Sequence, residues 1–114
     1  MKYALLVYPG SSVEAFERMS DEEQRSVRAE FMSLAEEPGV VAHGQLTPAE
    51  SATTVRVDDG RTLTTDGPFA DTKEILGGFF LVDADNLDGA LDVAARMPVA
   101  RMGGAIEVRP LVEL

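Results

Sequence analysis

Gly77-Gly78-Phe79-Phe80-Leu81-Val82-Asp83 carries four large apolar side chains in succession. In a strand, alternate side chains point to opposite faces, so Phe79 and Leu81 share one face and Phe80 and Val82 the other. A strand that is apolar on both faces is covered on both. Lys2-Tyr3-Ala4-Leu5-Leu6-Val7-Tyr8 reads the same way, with Tyr3, Leu5 and Val7 opposed to Ala4, Leu6 and Tyr8. Two such segments belong at the centre of a sheet.

Working outward, Pro9-Gly10-Ser11-Ser12 breaks the first strand, and Ser12 is placed to cap a short helix running to Met19. Ser20-Asp21-Glu22-Glu23 has the Ser-x-x-Glu spacing of a capping box. Val27, Phe31, Leu34 and Ala35 follow at helical spacing until Pro38-Gly39 stops the run. Residues 40–46, 52–57, 61–65 and 105–111 read as further strands. Asp58-Asp59-Gly60 is a hairpin signal between two of them, and Asp66-Gly67-Pro68-Phe69 is a turn by composition. Asp85 or Asn86 caps a second main helix with a stripe of Leu87, Leu91, Ala94 and Ala95, ended by Met97-Pro98. The order is that of an α+β, ferredoxin-like βαββαβ protomer with an inserted hairpin and an antiparallel sheet, in one domain over residues 1–114. Both helices of that fold lie on one sheet face. The other face then exposes four to six large apolar groups, each worth about 1.5–3 kcal/mol if buried. Packing two such faces together predicts a homodimer.

Composition narrows function. Twenty acidic residues against ten basic ones give a net charge of −10. Such a surface repels phosphate backbones and anionic lipid, so nucleic acid and membranes are disfavoured as partners. The absence of cysteine excludes disulfides, thiolate catalysis and cysteine metal sites. The apolar run before Pro9 is too short for a signal peptide core, which makes the cytoplasm the expected compartment. No phosphate-binding glycine loop or nucleophile elbow is present.

The run Thr64-Thr65-Asp66-Gly67-Pro68-Phe69-Ala70-Asp71-Thr72-Lys73-Glu74-Ile75-Leu76-Gly77-Gly78-Phe79-Phe80-Leu81 resembles the signature of the DGPF-domain, YCII-related family. The opening segment and the closing Gly104-Ala105-Ile106-Glu107-Val108-Arg109-Pro110 extend the resemblance over the whole chain. It implies a dimeric α+β barrel and genetic association with extracytoplasmic-function sigma factors, without implying one reaction. Relatives proposed as enzymes pair a histidine with an aspartate, whereas this chain has a single histidine, His43. Asp71 stands where the motif more usually has glutamate.

Several residues could carry chemistry. Asp66 is read either as a cap of its own turn, with Phe69 as a core anchor, or as a general base at a pocket mouth. Gly67, Pro68 and Phe69 would line that pocket. His43, sharing a strand face with Val41 and Gln45, is either an exposed histidine or an acid–base partner oriented by Asp66. A lone histidine is a poor metal set, and no metal or cofactor is expected. Lys73 and Arg101 are candidate clamps for an anionic ligand, against the plainer reading of surface ion pairs. Arg109 is placed on the polar side of the last strand, and Met97 and Met102 read as core filler. The expectation is a cofactor-independent small-molecule enzyme, isomerase- or lyase-like, taking a small anionic or polar ligand at the sheet face. The alternative is a non-catalytic binding partner in sigma-factor signalling.

Overall fold

A computed structural model describes residues 1–70 and 73–113. Asp71 therefore lies outside the described residues. The elements are β1 (Lys2–Tyr8), α1 (Ser12–Glu17), α2 (Asp21–Ala35), β2 (Val40–Gln45), β3 (Thr53–Asp58), β4 (Arg61–Asp66), β5 (Gly78–Asp83), α3 (Leu87–Arg96), α4 (Pro98–Arg101) and β6 (Ala105–Pro110). Four strands form one sheet in the order β2-β5-β1-β6, every neighbour antiparallel, while β3 and β4 pair only with each other. This is the ferredoxin-like arrangement with an inserted hairpin. As expected, the two doubly apolar strands occupy its centre.

The helices cover one face. Tyr3, Leu5 and Val7 of β1 and Phe80 and Val82 of β5 are buried with Leu34 and Ala35 of α2 and Ala90, Ala94 and Met97 from the α3 side. Ile106 and Val108 of β6 close that layer. Phe31 meets Phe80 edge to face, with ring centroids 5.4 Å apart. The other face carries Ala4, Leu6 and Tyr8 beside Phe79 and Leu81, and among the described residues no helix lies over it. Phe79 is 38% exposed, and its ring lies across Gly44, where a Cβ would meet it at 2.9 Å.

Local signals account for most element ends. The Ser20 hydroxyl accepts from the Glu23 N–H while Glu23 accepts from the Ser20 N–H, a complete capping box. Asn86 caps α3 by accepting from the Gly89 N–H. Asp59 and Gly60 both have positive φ, as a two-residue I′ hairpin turn requires.

Two expectations are corrected. Ser11, not Ser12, precedes α1, and Ser12 is buried as its first residue. The buried face of α3 is Ala90 and Ala94 with Val93 partly buried beside them, leaving Leu87, Leu91 and Ala95 exposed. Alanines let this helix approach the sheet closely, and that sets its phase. As expected, α3 ends at Met97-Pro98, and Pro98 then opens α4 at a position where a missing N–H costs nothing. Met97 is fully buried, as core filler should be.

Gly77 joins the strand ends. Its N–H donates to the Val7 carbonyl at 2.8 Å, and its carbonyl accepts from the Leu46 N–H at 2.9 Å. A Cβ there would lie 2.5 Å from Cγ of Pro9, whose ring cannot swing away. Gly77→Ala should therefore destabilise the chain by about 1–3 kcal/mol, the usual cost of overpacking. Urea denaturation checks this, and an unchanged midpoint would refute it.

Candidate functional site

The site grows from the junction of three segments that meet beyond one end of the four-stranded sheet. β1 ends at Tyr8, whose side chain emerges on the uncovered face. The chain leaving β2 runs through Leu46, Thr47 and Pro48 into a 3-10 turn at Ala49–Ser51, held by the Ser51 hydroxyl donating to the Pro48 carbonyl at 2.7 Å. Thr47 and Ser51 hydroxyls are 2.5 Å apart. The loop after β4 supplies Pro68, Ala70, Glu74, Ile75 and Leu76. Together they enclose an open cavity of about 590 Å³. Its walls are mostly aliphatic, and its polar groups are Tyr8, Thr47, Ser51 and Glu74.

The Asp-Gly-Pro-Phe turn is tied to the root of the hairpin through Gly67. Its φ is +98°, a conformation that favours glycine. The Gly67 N–H donates to the Ala52 carbonyl and the Thr54 hydroxyl donates to the Gly67 carbonyl, both at 2.7 Å. The backbone thus holds the turn, and the exposed Asp66 carboxylate takes no part in these bonds. Phe69 is not a core anchor: it is 74% exposed, with the Arg56 guanidinium 5.5 Å from its ring centroid.

Of the residues singled out in the sequence, Pro68 lines the cavity, and Asp66, Gly67 and Phe69 lie within two residues of it in the chain. Lys73 is exposed beside the lining residue Glu74. His43 is placed elsewhere. A register shift between Val40 and Ala42 puts Val40 opposite Val82 and His43 opposite Phe80, so both belong to the helix-covered face. The pairing of Val41 with His43 on one face is thereby corrected, because a bulge adds one residue and reverses the alternation beyond it. The imidazole is exposed at the edge and lies 5.5 Å, centroid to centroid, from the Phe80 ring. Among the described residues no carboxylate is within ion-pair distance of it.

Arg101 lies in the helix layer, with Nη1 2.7 Å from Oε2 of Glu30. Nearby, Arg96 grips Glu37 through both terminal nitrogens, Nη2 donating to Oε1 at 3.0 Å, while its Nε donates to Asp92 at 3.0 Å. These pairs line a separate groove of about 460 Å³ between α2 and the α3–α4 segment, and the cations in it are already matched by carboxylates. Arg109 points to the uncovered sheet face, opposite Ala4 across the strands. Among the described residues, no three His, Cys, Asp or Glu side chains gather as a metal site, and no helix is long and apolar enough to cross a membrane.

Tyr8 and Glu74 are the chemistry-bearing lining groups that the sequence reading did not assign. Tyr8 had one available signal, a polar-tipped residue closing the outer row of a strand apolar on both faces.

Hydrogen bonds from Arg96 hold the Glu37 carboxyl below the ordinary value of 4.5. A depressed carboxylate contributes stability that is fully present above its unfolded value and is lost as pH falls through the folded one. The stability gap between the wild type and Glu37→Gln should thus be constant above about pH 5 and close in more acid solution. Urea titrations across that range check it, and a gap that persists or widens in acid would contradict it.

The YCII-related domain family matches residues 1–114. An uncharacterized protein of Rhizobium meliloti (strain 1021) is 40% identical over 114 residues, spanning 97% of this chain and 92% of that protein. A 5-chloro-2-hydroxyhydroquinone dehydrochlorinase of Burkholderia phenoliruptrix, solved in complex with 2,5-dihydroxybenzoquinone, has the same fold. Its TM-score is 0.52 at 16% identity, covering 100% of this chain and 96% of that one.

Proposed function

Because the chain belongs to the YCII-related domain family, we propose that it is a homodimeric small-molecule enzyme. It would perform acid–base chemistry of isomerase or lyase type with its own side chains, in the cavity where Tyr8, Pro68 and Glu74 meet. The observation that carries this reading is that one mostly aliphatic cavity is lined by a phenol and a carboxyl. A cavity of several hundred Å³ with apolar walls and a few polar groups is the usual form of a small-molecule site. The walls Leu46, Pro48, Ile75 and Leu76 suit a flat carbon skeleton, while Tyr8, Glu74 and the Thr47–Ser51 hydroxyls suit ring hydroxyl or carbonyl oxygens.

Proton transfer requires a donor and an acceptor on the same bound molecule. Tyr8 and Glu74 are the candidates for those two roles, with Asp66, two residues before the lining Pro68, a further candidate carboxylate. His43 is left out of this assignment, since it stands over Phe80 on the helix-covered face. The structural relative's complex with a dihydroxybenzoquinone recommends that compound as a first probe.

The test is calorimetric titration and thermal shift of the purified protein with 2,5-dihydroxybenzoquinone. A probe at a hundredfold excess over Kd stabilises the folded chain by about 2.7 kcal/mol, which is readily seen. Tyr8→Phe or Glu74→Gln should weaken binding about tenfold, the effect of one lost buried hydrogen bond, whereas His43→Ala should bind like the wild type. Absence of binding to the wild type, or equal binding by Tyr8→Phe and Glu74→Gln, would overturn the assignment.

A further inference from the structure

The hydroxyl protons on the polar edge of the cavity can be placed one by one. Thr47 and Ser51 bracket the 3-10 turn in its wall, and each hydroxyl has one proton and two lone pairs. Ser51 gives its proton to the Pro48 carbonyl at 2.7 Å, because a carbonyl can only accept. The same carbonyl also takes the Ser51 backbone N–H at 2.9 Å, so both of its lone pairs are filled. In the 2.5 Å contact between the two hydroxyls, Thr47 is therefore the donor and Ser51 the acceptor. Both protons are used inside the turn. What remains is two lone pairs on Thr47 Oγ1 and one on Ser51 Oγ, which accept and cannot donate.

The neighbouring wall is poor in donors too. The Leu46 N–H goes to the Gly77 carbonyl and the Ala52 N–H to the Ala49 carbonyl, while Pro48 and Pro68 have no N–H. Among the described residues lining the cavity there is no lysine, arginine, histidine, asparagine or glutamine. Lys73 is exposed and is not part of the wall, and Arg101 is held by Glu30 in the helix layer. Tyr8 is the lining hydroxyl whose proton is not engaged in this way, and Glu74 adds a carboxyl. The Thr47 acceptor is also stiff. The proline after it holds its backbone extended, and its branched side chain restricts χ1.

Resting on the cavity as the ligand site proposed above, we infer that Thr47 is its specificity-determining residue and that the ligand is a neutral ring bearing a protonated hydroxyl. That hydroxyl donates to Thr47 Oγ1, whose own proton Ser51 and the Pro48 carbonyl hold out of the way. A methyl ether or a phenolate brings only lone pairs to an edge that already presents lone pairs. The Glu74 carboxyl and the net charge of −10 add repulsion against the anion.

Para-nitrophenol tests this, because its hydroxyl ionises near neutral pH, and para-nitroanisole is the same ring with that proton replaced by methyl. Calorimetric titration of the purified protein with both, at pH values spanning that ionisation, reads the preference. The wild type should bind neutral nitrophenol about tenfold more tightly than nitroanisole, the effect of leaving one acceptor unpaired. Nitrophenol binding should weaken as the pH rises through its ionisation, while nitroanisole binding stays flat. An acidic hydroxyquinone such as 2,5-dihydroxybenzoquinone should likewise bind more tightly as the pH is lowered. Thr47→Val, which keeps the shape and removes the hydroxyl, should bring the phenol down to the level of the ether, and Thr47→Ser should keep the preference. Ser51→Ala frees the Thr47 proton to donate, so it should tighten binding of the ether and narrow the ratio from the other side. Equal binding of phenol and ether by the wild type, nitrophenolate bound as tightly as nitrophenol, or a preference that survives in Thr47→Val would overturn the inference and leave the cavity assignment standing. Binding of neither compound by the wild type would overturn the cavity assignment, and the inference with it. The wild-type pH profile needs no variant, so it decides the matter even if Thr47→Val does not fold.

Discussion

The structure depends on two adjacent strands, β1 and β5, that are greasy above and below. Leu5 and Phe80 point into the helix layer and are almost fully buried, while Leu6, Phe79 and Leu81 point the other way. Two main helices on one face are all that a βαββαβ chain provides. The second face is therefore left bare by the topology, not by any shortage of apolar residues. At about 25 cal/mol per Å², each apolar group left on that face forgoes stabilisation that burial would give. The inserted hairpin sharpens the same imbalance, because it adds apolar area without folding back onto its own sheet.

Much of this was legible in the sequence because the signals were local. Alternation marked the strands, Ser20-x-x-Glu23 and Asn86 marked helix starts, and Asp59-Gly60 marked the hairpin turn. The central position of β1 and β5 followed from their two apolar faces. What escaped depends on tertiary geometry. The bulge at Val41 is one added residue, and it moves His43 to the opposite face from any cleft between two sheets. The leucines of α3 suggest one phase, whereas close packing against the sheet selects Ala90 and Ala94. Arg101 and Glu30 are far apart in sequence and meet only because α4 packs near α2.

The candidate site was legible only in part, and for the same reason. Asp66-Gly67-Pro68-Phe69 is contiguous and stands out, but its backbone matters more than its side chains: Gly67 ties the turn to Ala52 and Thr54, and Pro68 forms cavity wall. The chemistry-bearing partners come from separate segments, Tyr8 from the end of β1, Thr47 and Ser51 from the link after β2, and Glu74 from the loop before β5. No spacing rule connects such positions. They are assembled by Gly77, which stitches the ends of β1 and β2 together with two backbone hydrogen bonds.

Phe79 lies on the face that no helix covers, so its solvent contact reports most directly whether a second copy covers that face. Hydroxyl-radical footprinting of Phe79 across a dilution series reads that contact. If two copies pair over this face, Phe79 is strongly protected at micromolar concentration and loses that protection on dilution. Oxidation of Phe79 at the rate of a freely exposed aromatic at every concentration would contradict it.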